Sequence, residues 1–495
     1  MELIIKGHEF GYEMESVCRI FLGPEKIITT NEKGGAEEYL LTELKVSGDK
    51  IELYAQLSLK GKSESQYALS ERSAGEKEWE RALGVAAYKC FSRILGVTPP
   101  WGALTGIRPV KLAAELKDKG CSDEEVVSEF KKNYLVAEDK ARLMVETEKH
   151  ETDIIKRSGE KSFSLYIGIP FCPTRCKYCS FVSHAIEKTR KLIPEYVEKL
   201  VKEISFTGEM VKRLGLELET VYMGGGTPTT LSAKELEVIL SAVNESFDVS
   251  GVKEYTVEAG RPDTITRDRL EALKRCGVDR ISVNPQTMND KILEVIGRKH
   301  TSEQTLEGYR LAREVGFDVI NMDVIAGLPG ESVDSFCRTM DILTELKPEN
   351  ITVHTLSIKR SAELAENGRD IFIKGGERAA EMLEYSQKKL KAEGYFPYYL
   401  YRQKNMLGSL ENVGFSLSGK EGLYNVYIMD ETHTIFAVGA GASTKLKDQH
   451  SGRIERIFNY KFPYEYIERF DSVIERKRKA EEFYDANRGK EAAGI

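Results

Sequence analysis

The spacing of apolar positions changes along the chain, and the change marks out a central region. Between residues 162 and 356, short apolar runs typical of buried strands alternate with stretches in which apolar residues recur at helical spacing. Strands alternating with helices of this length predict an α/β fold built on a parallel sheet with right-handed crossovers. The predicted strands are 162–169, 219–223, 254–258, 280–284, 318–324 and 351–356, and the predicted helices between them are 193–213, 232–246, 266–275, 303–315 and 332–346.

The first 155 residues have a mixed pattern. Residues 51–59 alternate apolar and polar positions, and they come after the apolar stretch 40–46 across a short polar turn, which predicts a β-hairpin. Apolar residues at helical spacing between 79 and 94 predict an amphipathic helix. A charged helix from about 136 to 157 is expected to link this part to the central region. We therefore expect an N-terminal α+β domain, to which the sequence assigns no activity.

After residue 356 the strand–helix alternation ends. The pattern of apolar positions predicts a helix over 377–391 and a hairpin formed by the stretches 424–429 and 434–438. Between them, residues 395–406 are dense in aromatic residues with basic residues set among them. Such a segment is either ordinary core material or a surface on which a flat macrocycle stacks.

On the second interpretation, that aromatic segment contacts a substrate. Arg402 and Lys404 would pair with carboxylates of the macrocycle, and Tyr401 would lie beside them. These three residues are the predicted substrate contacts.

The composition is typical of a soluble enzyme, with 41% of the 495 residues hydrophobic and 31% charged. The net charge of −7 argues against general binding to nucleic acid or to a membrane surface. No apolar run approaches the length of a membrane span, and the N-terminal residues lack the features of a signal peptide. Eight cysteines are too few and too scattered for a disulfide framework, so we expect a reduced, cytoplasmic protein.

Three cysteines come directly after the first strand of the central region at a CxxxCxxC spacing: Cys172, Cys176 and Cys179. So tight a loop brings three thiolates to one side of the backbone, and soft thiolates bind iron–sulfur clusters, zinc or copper(I). Structural zinc sites are closed by four ligands, and the nearest further candidate, His184, lies beyond the trio. A four-iron cluster held by three cysteines leaves one iron open to an outside ligand. The alternative is three chance cysteines in a reduced cytosol.

The stretch YIGIPFCPTRCKYCSF, residues 166–181, resembles the radical S-adenosylmethionine (SAM) superfamily. More narrowly, it looks like the oxygen-independent coproporphyrinogen III oxidases (coproporphyrinogen dehydrogenases) and their HemZ-type relatives. The resemblance implies a partial (β/α)6 TIM-like barrel, a 4Fe-4S cluster on the three cysteines, and SAM as cofactor. The implied domains are an N-terminal α+β domain at 1–155, the barrel at 156–360 and a C-terminal α+β extension covering the substrate at 361–495.

The resemblance also implies SAM contacts at the C-terminal ends of the strands, where the chemistry of such barrels lies. A glycine run after the second strand would hold the methionine end of SAM, because glycines let a ligand approach the backbone closely. The alternative for each residue alone is an ordinary polar group at a strand end, and the joint pattern favours a site. The implied SAM contacts are Tyr166, Tyr178, Gly225, Gly226, Thr227, Glu258, Gln286, Arg298, Asp323 and Ser357.

In the resembled oxidases, a 5′-deoxyadenosyl radical abstracts hydrogen from propionate side chains of coproporphyrinogen III. Loss of CO2 and an electron then leaves the vinyl groups of protoporphyrinogen IX, a step of haem biosynthesis. The resemblance thus implies a tetrapyrrole substrate and an electron donor such as flavodoxin or ferredoxin. We expect a monomer that binds neither nucleic acid nor membrane.

Two positions depart from the resembled oxidases. Phe181 stands where they carry a fourth cysteine, and Gly168 stands where they carry a histidine. Phenylalanine at the first position is typical of haem-chaperone relatives. Three functions therefore stay open: a coproporphyrinogen dehydrogenase, a haem-binding chaperone with a 4Fe-4S cluster, and a radical SAM enzyme of anaerobic haem modification or degradation.

Overall fold

A computed structural model of the protein describes residues 1–106, 108–179, 183–358 and 368–493. These residues form two compact units, of which the first comprises Met1–Lys149, His354–Gln387 and Leu400–Val413. The second unit comprises His150–Val353, Lys388–Tyr399 and Gly414–Ile495. The domain boundaries inferred from the sequence, after residues 155 and 360, stay a prediction.

Strands and helices alternate through the middle of the chain. The strands are β1 (Glu2–Lys6), β2 (Ile28–Thr30), β3 (Tyr39–Ser47), β4 (Lys50–Leu59), β5 (Lys62–Glu71), β6 (Ser162–Ile169), β7 (Phe171–Cys172), β8 (His184–Ala185), β9 (Glu217–Gly225), β10 (Glu254–Gly260), β11 (Arg280–Val283), β12 (Val319–Ala326), β13 (Asn350–Thr355), β14 (Phe396–Tyr401), β15 (Asn412–Ser416), β16 (Thr434–Val438), β17 (Ser443–Lys447) and β18 (Ile454–Phe458). The helices are α1 (Gly11–Leu22), α2 (Glu76–Leu95), α3 (Pro109–Asp118), α4 (Asp123–Tyr134), α5 (Glu138–Ile155), α6 (Ile186–Thr189), α7 (Ile193–Leu214), α8 (Ala233–Ser246), α9 (Arg267–Arg275), α10 (Asp290–Val295), α11 (Ser302–Val315), α12 (Val333–Leu346), α13 (Gly368–Ala392), α14 (Leu423–Asp430), α15 (Pro463–Glu468) and α16 (Phe470–Ala493).

The first unit contains a five-stranded sheet in the order β2-β1-β3-β4-β5. The predicted hairpin is present, because β3 and β4 pair antiparallel across the turn. Apolar residues of α1 and α2 share one buried core with the alternate inward positions of β3 and β4. Within that core, Phe21 and Phe91 stack with their ring centroids 5.0 Å apart. This packing accounts for the period-2 and helical patterns of the first hundred residues.

The second unit contains β6, β9–β12 and β16–β18 of a mixed sheet whose strand order runs β14-β15-β13-β12-β11-β10-β9-β6-β16-β17-β18. Strands β6, β9, β10, β11 and β12 pair parallel with their neighbours, and α7, α8, α9, α11 and α12 lie between successive strands in the chain. The α/β class and the predicted succession of six strands are confirmed. The strands read as apolar runs because helices cover a parallel sheet on its faces.

The predicted hairpin over 424–438 is wrong. Residues 423–430 form α14, and β16 pairs parallel with β6 instead, with Thr434 opposite Phe163. The carboxylate of Glu254, buried on β10, accepts hydrogen bonds from the backbone N–H groups of Leu423 and Tyr424. These N–H groups open the helix and have no partner within it, so the carboxylate supplies the missing acceptor.

A buried carboxylate on α7 holds the turn between β16 and β17. Glu203, with no exposed surface, accepts hydrogen bonds from the Gly439 N–H at 2.8 Å and the Asn459 side-chain amide at 2.8 Å. It also accepts from the Tyr466 hydroxyl at 2.6 Å and pairs with the Lys477 ammonium at 3.0 Å. A buried charge that is fully paired stabilises the fold only while all its partners stay in place.

None of the helices in the described residues is long and apolar enough to cross a membrane.

We predict that Glu203→Ala lowers the free energy of unfolding by about 3–5 kcal/mol, because it leaves the buried Lys477 ammonium without its counter-charge. The matched control is Glu198→Ala on the same helix, where an exposed pair with Lys202 is removed. The control is expected to cost less than about 1 kcal/mol. Urea titration of both variants checks this, and equal losses would contradict it.

Candidate functional site

The loop that carries Cys172, Cys176 and Cys179, called the cysteine loop below, starts where β6 ends. Immediately after Pro170, β7 pairs parallel with β8, so that Cys172 lies opposite Ala185 and the ends of the loop are joined. The His184 N–H donates to the Pro170 carbonyl at 2.9 Å and closes this short ladder. Residues 180–182 lie outside the described residues, and Phe181 is among them. The loop is thus tethered at both ends at the C-terminal edge of the sheet.

Two of the three thiols are buried and receive hydrogen bonds. Cys172 and Cys176 are each 9% exposed, and Cys179 is partly exposed. The Thr227 hydroxyl donates to Cys172 Sγ at 3.4 Å, and Arg261 Nη1 donates to Cys176 Sγ at 3.8 Å. Burial raises the pKa of the Cys172 thiol, and the Thr227 hydrogen bond opposes that rise. Donors aimed at sulfur favour the thiolate form that binds metal.

The loop is also bonded to the segment after α10. The Lys177 N–H donates to the Ile296 carbonyl at 3.0 Å, and the Thr174 hydroxyl donates to the Gly297 carbonyl at 3.4 Å. Arg298 continues this segment and lies beside the same loop. Its Nε donates to the Tyr178 hydroxyl at 3.2 Å, and its Nη1 donates to the Asn284 carbonyl at 2.6 Å. The structure therefore brings together two predicted SAM contacts, Tyr178 and Arg298.

The glycine run at the end of β9, residues 224–226, packs against the start of the cysteine loop. The Gly226 N–H donates to the Ile169 carbonyl at 2.7 Å, and the Thr227 N–H donates to the Phe171 carbonyl at 2.7 Å. A Cβ atom added to Gly226 would lie 2.5 Å from the Phe171 carbonyl oxygen, so only glycine fits there. Beside Gly226, a Cβ atom added to Gly225 would lie 3.3 Å from the Tyr166 hydroxyl.

Glu258, at the end of β10, faces the same glycine run. The Tyr222 hydroxyl donates to Glu258 Oε1 at 2.6 Å. A Cβ atom added to Gly224 would lie 2.9 Å from the carboxyl carbon of Glu258, which places the carboxylate directly against the glycines. Tyr222 stacks on Tyr424 with ring centroids 4.4 Å apart, and both rings lie nearly parallel to that of Tyr166. Burial, with Glu258 nearby, raises the pKa of Tyr166.

Gln286 and Asp323 meet at the next strand ends. The Gln286 N–H donates to the Asp323 carbonyl at 2.9 Å, and the Gln286 carbonyl accepts from the Ile325 N–H at 3.0 Å. Gln286 has a φ of +67°, a left-handed conformation that is uncommon outside glycine and is held here by these two bonds. The Asn321 amide donates to Asp323 Oδ1 at 2.7 Å and orients that carboxylate.

A buried carboxyl contacts Thr287, the residue that follows Gln286. Glu331, 1% exposed, accepts a hydrogen bond from the Thr287 hydroxyl at 2.5 Å and another from the Ser335 hydroxyl at 3.2 Å. Its second oxygen has no hydrogen-bond partner among the described residues. Burial raises the pKa of Glu331 to about 7.

The remaining predicted contacts lie in the first unit. Arg402 is 5% exposed; its Nη1 donates to the Leu104 carbonyl at 2.6 Å and its Nη2 donates to the Ser409 carbonyl at 2.9 Å. Burial lowers the pKa of Arg402 to about 10. The Lys404 ammonium lies 4.4 Å from the Tyr12 ring centroid, while the Ser357 hydroxyl donates to the Lys404 carbonyl at 3.1 Å. Tyr401 ends β14 and is partly buried. Their roles as ligand contacts stay predictions.

The position that departs from the resembled oxidases, Gly168, lies under the turn after β16. A Cβ atom there would be 3.2 Å from the Ala440 carbonyl oxygen and 3.4 Å from that of Val438. The Gly168 carbonyl accepts from the Tyr196 hydroxyl at 2.6 Å. A side chain at this position would require these carbonyls to shift by a few tenths of an ångström.

Sequence reasoning missed Arg261, Tyr222 and Tyr424. Arg261 is buried and binds the cysteine loop, and Tyr222 orients Glu258. Arg261 comes directly after β10, and a basic residue just after a strand of the parallel sheet was the one available signal.

Comparison with known proteins identifies the relatives of this chain. A family model described as the radical SAM superfamily matches residues 166–343. The chain is 44% identical over 389 residues to the oxygen-independent coproporphyrinogen-III oxidase-like protein HemZ of Bacillus subtilis (strain 168), and the match covers 78% of this chain and 77% of that protein. It is 32% identical over 284 residues to the heme chaperone HemW of the same bacterium, covering 56% of this chain and 70% of HemW.

One solved structure shows the same fold. The coproporphyrinogen III oxidase HemN from Escherichia coli, described as a radical SAM enzyme, superposes with a TM-score of 0.50 at 21% identity. The match covers 65% of this chain and 71% of that chain.

Proteins of the radical SAM superfamily use a 4Fe-4S cluster and SAM, and the donor set here fits both. In the described part of the chain, no three His, Cys, Asp or Glu side chains converge closely enough to hold a single metal ion. A cubane cluster does not require such convergence, because each thiolate binds a different iron. For SAM, the bare glycine run offers backbone groups, and Asn284 Oδ1 is buried without a hydrogen-bond partner among the described residues.

We predict that Tyr222→Phe weakens SAM binding about tenfold, because Glu258 loses a charge-assisted hydrogen bond that orients it. Anaerobic calorimetry on the cluster-loaded protein measures this. The control is Tyr255→Phe on β10, whose buried hydroxyl has no partner among the described residues. Equal affinity in Tyr222→Phe and the wild type would contradict the role of Glu258.

We predict that Glu331 makes stability fall as pH rises. The unfolded carboxyl loses its proton near its ordinary value of 4.5, whereas the folded one keeps it to about 7. The folded state therefore binds more protons between these values, and the free energy of unfolding falls with pH by up to about 3 kcal/mol. Glu331→Gln removes this contribution. Relative to the variant, the wild type should therefore lose up to about 3 kcal/mol of its free energy of unfolding between pH 4.5 and pH 8. An equal difference between the two proteins at both pH values would contradict the prediction.

Proposed function

This chain belongs to the HemZ-type branch of the oxygen-independent coproporphyrinogen III oxidase family within the radical SAM superfamily, and we propose that it is a radical SAM enzyme acting on a tetrapyrrole. The first candidate reaction is the oxidative decarboxylation of coproporphyrinogen III propionates to vinyl groups. The observation that carries the radical SAM activity is the meeting of the cysteine loop, the glycine run and Glu258 at one edge of the sheet. The tetrapyrrole substrate is supported by the similarity to the coproporphyrinogen-III oxidase-like protein HemZ.

In this proposal Cys172, Cys176 and Cys179 hold the cluster. With SAM bound and an electron supplied, this pair of cofactors provides the 5′-deoxyadenosyl radical that abstracts hydrogen. The protein's part is to hold the cofactors and the substrate in the right orientation and to exclude water from the site. Two of the cysteine sulfurs are buried, and a site closed to water protects a reactive species from side reactions.

The polar residues at the strand ends bind SAM in this proposal. The carboxylate of Glu258 and the backbone of Gly225 and Gly226 face the methionine end. Gln286 and Asp323 face the ribose or adenine side, and Arg298 faces the carboxylate region. The hydrogen bonds that hold Glu258 and Asp323 in fixed orientations support these roles, because a preformed site spends less binding energy on ordering itself.

A haem-binding chaperone is the second candidate. It is supported by the 32% identity to a heme chaperone and by Phe181, the residue typical of such relatives. Gly168, which stands where the resembled oxidases carry a histidine, supports a third candidate, an enzyme acting on another tetrapyrrole; a Cβ atom there would also lie close to the turn at 438–440.

We predict that the anaerobically reconstituted chain, given coproporphyrinogen III, SAM and dithionite, forms one 5′-deoxyadenosine for each vinyl group. Mass spectrometry of nucleoside and porphyrin products measures this. Cys176→Ala should abolish both products because it removes a cluster ligand. Cys276→Ala, which changes a cysteine at the end of α9, is the matched control and should keep them.

Each candidate predicts a different result. A haem absorption band on mixing with haem, without 5′-deoxyadenosine, selects the chaperone. 5′-Deoxyadenosine formed with haem but not with coproporphyrinogen selects the third candidate. Full activity of Cys176→Ala would contradict both enzyme candidates.

A further inference from the structure

Arg261 is a buried cation whose bonds point in two directions. It comes directly after β10 and is 3% exposed. A guanidinium carries five N–H donors in a fixed planar fork, so its position relative to its partners is well defined. One edge of the fork faces the cysteine loop, and the other faces Asp263.

The first edge binds the stretch between the first two cysteines. Arg261 Nη1 donates to the Thr174 hydroxyl at 2.9 Å and to the Thr174 carbonyl at 3.3 Å. The same nitrogen lies 3.8 Å from Cys176 Sγ. The cation is therefore within hydrogen-bond reach of a sulfur that binds iron in the proposed site.

The second edge is paired with a carboxylate. Arg261 Nε donates to Asp263 Oδ1 at 2.9 Å, and Nη2 donates to Asp263 Oδ2 at 2.8 Å. Such a bidentate pair fixes the plane of the guanidinium. It also places a negative charge on the far side of the fork, which partly offsets the positive charge felt at Cys176.

A guanidinium 3.8 Å from a thiolate sulfur interacts strongly with it where water is excluded. The interaction between two charges grows as the effective dielectric constant falls from that of water to that of a protein interior. The reduction potential of an iron–sulfur cluster depends on its net charge, on hydrogen bonds to its sulfurs and on solvent exposure. Reduction adds an electron, so a nearby cation stabilises the reduced form and a nearby anion destabilises it.

We propose that Arg261 and Asp263 act as a positioning pair that holds the Cys176 end of the cysteine loop and sets the reduction potential of the cluster, Arg261 raising it and Asp263 lowering it. The inference rests on the cluster of the proposed function and not on its tetrapyrrole substrate.

The test is a potentiometric titration of the reconstituted full chain, monitored by electron paramagnetic resonance without SAM or tetrapyrrole. Arg261→Met removes the cation and should shift the midpoint potential to a more negative value. Asp263→Asn removes the opposing charge and should shift it to a more positive value. Arg261→Lys keeps the charge without the fork, so it should load the cluster and shift the potential less than Arg261→Met.

Arg269→Met is the control of equal charge change. Arg269 donates to the carbonyls of Leu231 and Thr264, which lie outside the cysteine loop, and its removal should leave the potential unchanged. A purely structural role for the pair predicts that Arg261→Met and Asp263→Asn both load the cluster less well, without shifts of the midpoint potential in opposite directions. Should Arg261→Met fail to load the cluster, the positive shift in Asp263→Asn decides alone.

Shifts of the same sign, or no shift in loaded Asp263→Asn, would overturn the inference. Opposite shifts in a protein that leaves coproporphyrinogen unchanged would keep the inference while contradicting the first candidate reaction.

Discussion

The tethering of one short loop is the constraint on which the site depends. Three thiols within eight residues bind a cluster only if the backbone between them is held, because a free loop would lose conformational entropy on binding. Here the loop is bonded to three segments distant in sequence, through Thr227, Arg261 and Ile296. Each of these comes just after a secondary-structure element of the rigid α/β framework. The framework thus places the sulfur atoms beside the strand ends.

Buried charges in the second unit position its other parts. Glu254 receives the first N–H groups of α14, and α14 in turn carries Tyr424 onto the ring of Tyr222. Tyr222 then donates to Glu258, the carboxylate facing the glycine run. Glu203 fixes the turn that crowds Gly168 in the same way. The orientation of Glu258, one of the predicted SAM contacts, is therefore linked to residues from the C-terminal part of the chain.

Local pattern was enough to predict the strands and helices of the α/β framework, since burial on both faces makes each parallel strand an apolar run. It failed for 424–429, where the acceptor that starts the helix lies on β10, about 170 residues earlier. The backbone carbonyls to which the Arg402 guanidinium donates could not be predicted from its aromatic neighbours either, and its role as a ligand contact stays a prediction. The part played by Arg261 depends on a contact with Thr174 that no local pattern contains.

The metal content and spectrum of the anaerobically reconstituted chain test the cluster site most directly. We expect about four irons and four sulfides for each chain, and a reduced-state electron paramagnetic resonance signal that changes shape when SAM is added, because SAM binds the open iron. Tightly bound zinc in place of iron, or a cluster signal indifferent to SAM, would contradict this assignment.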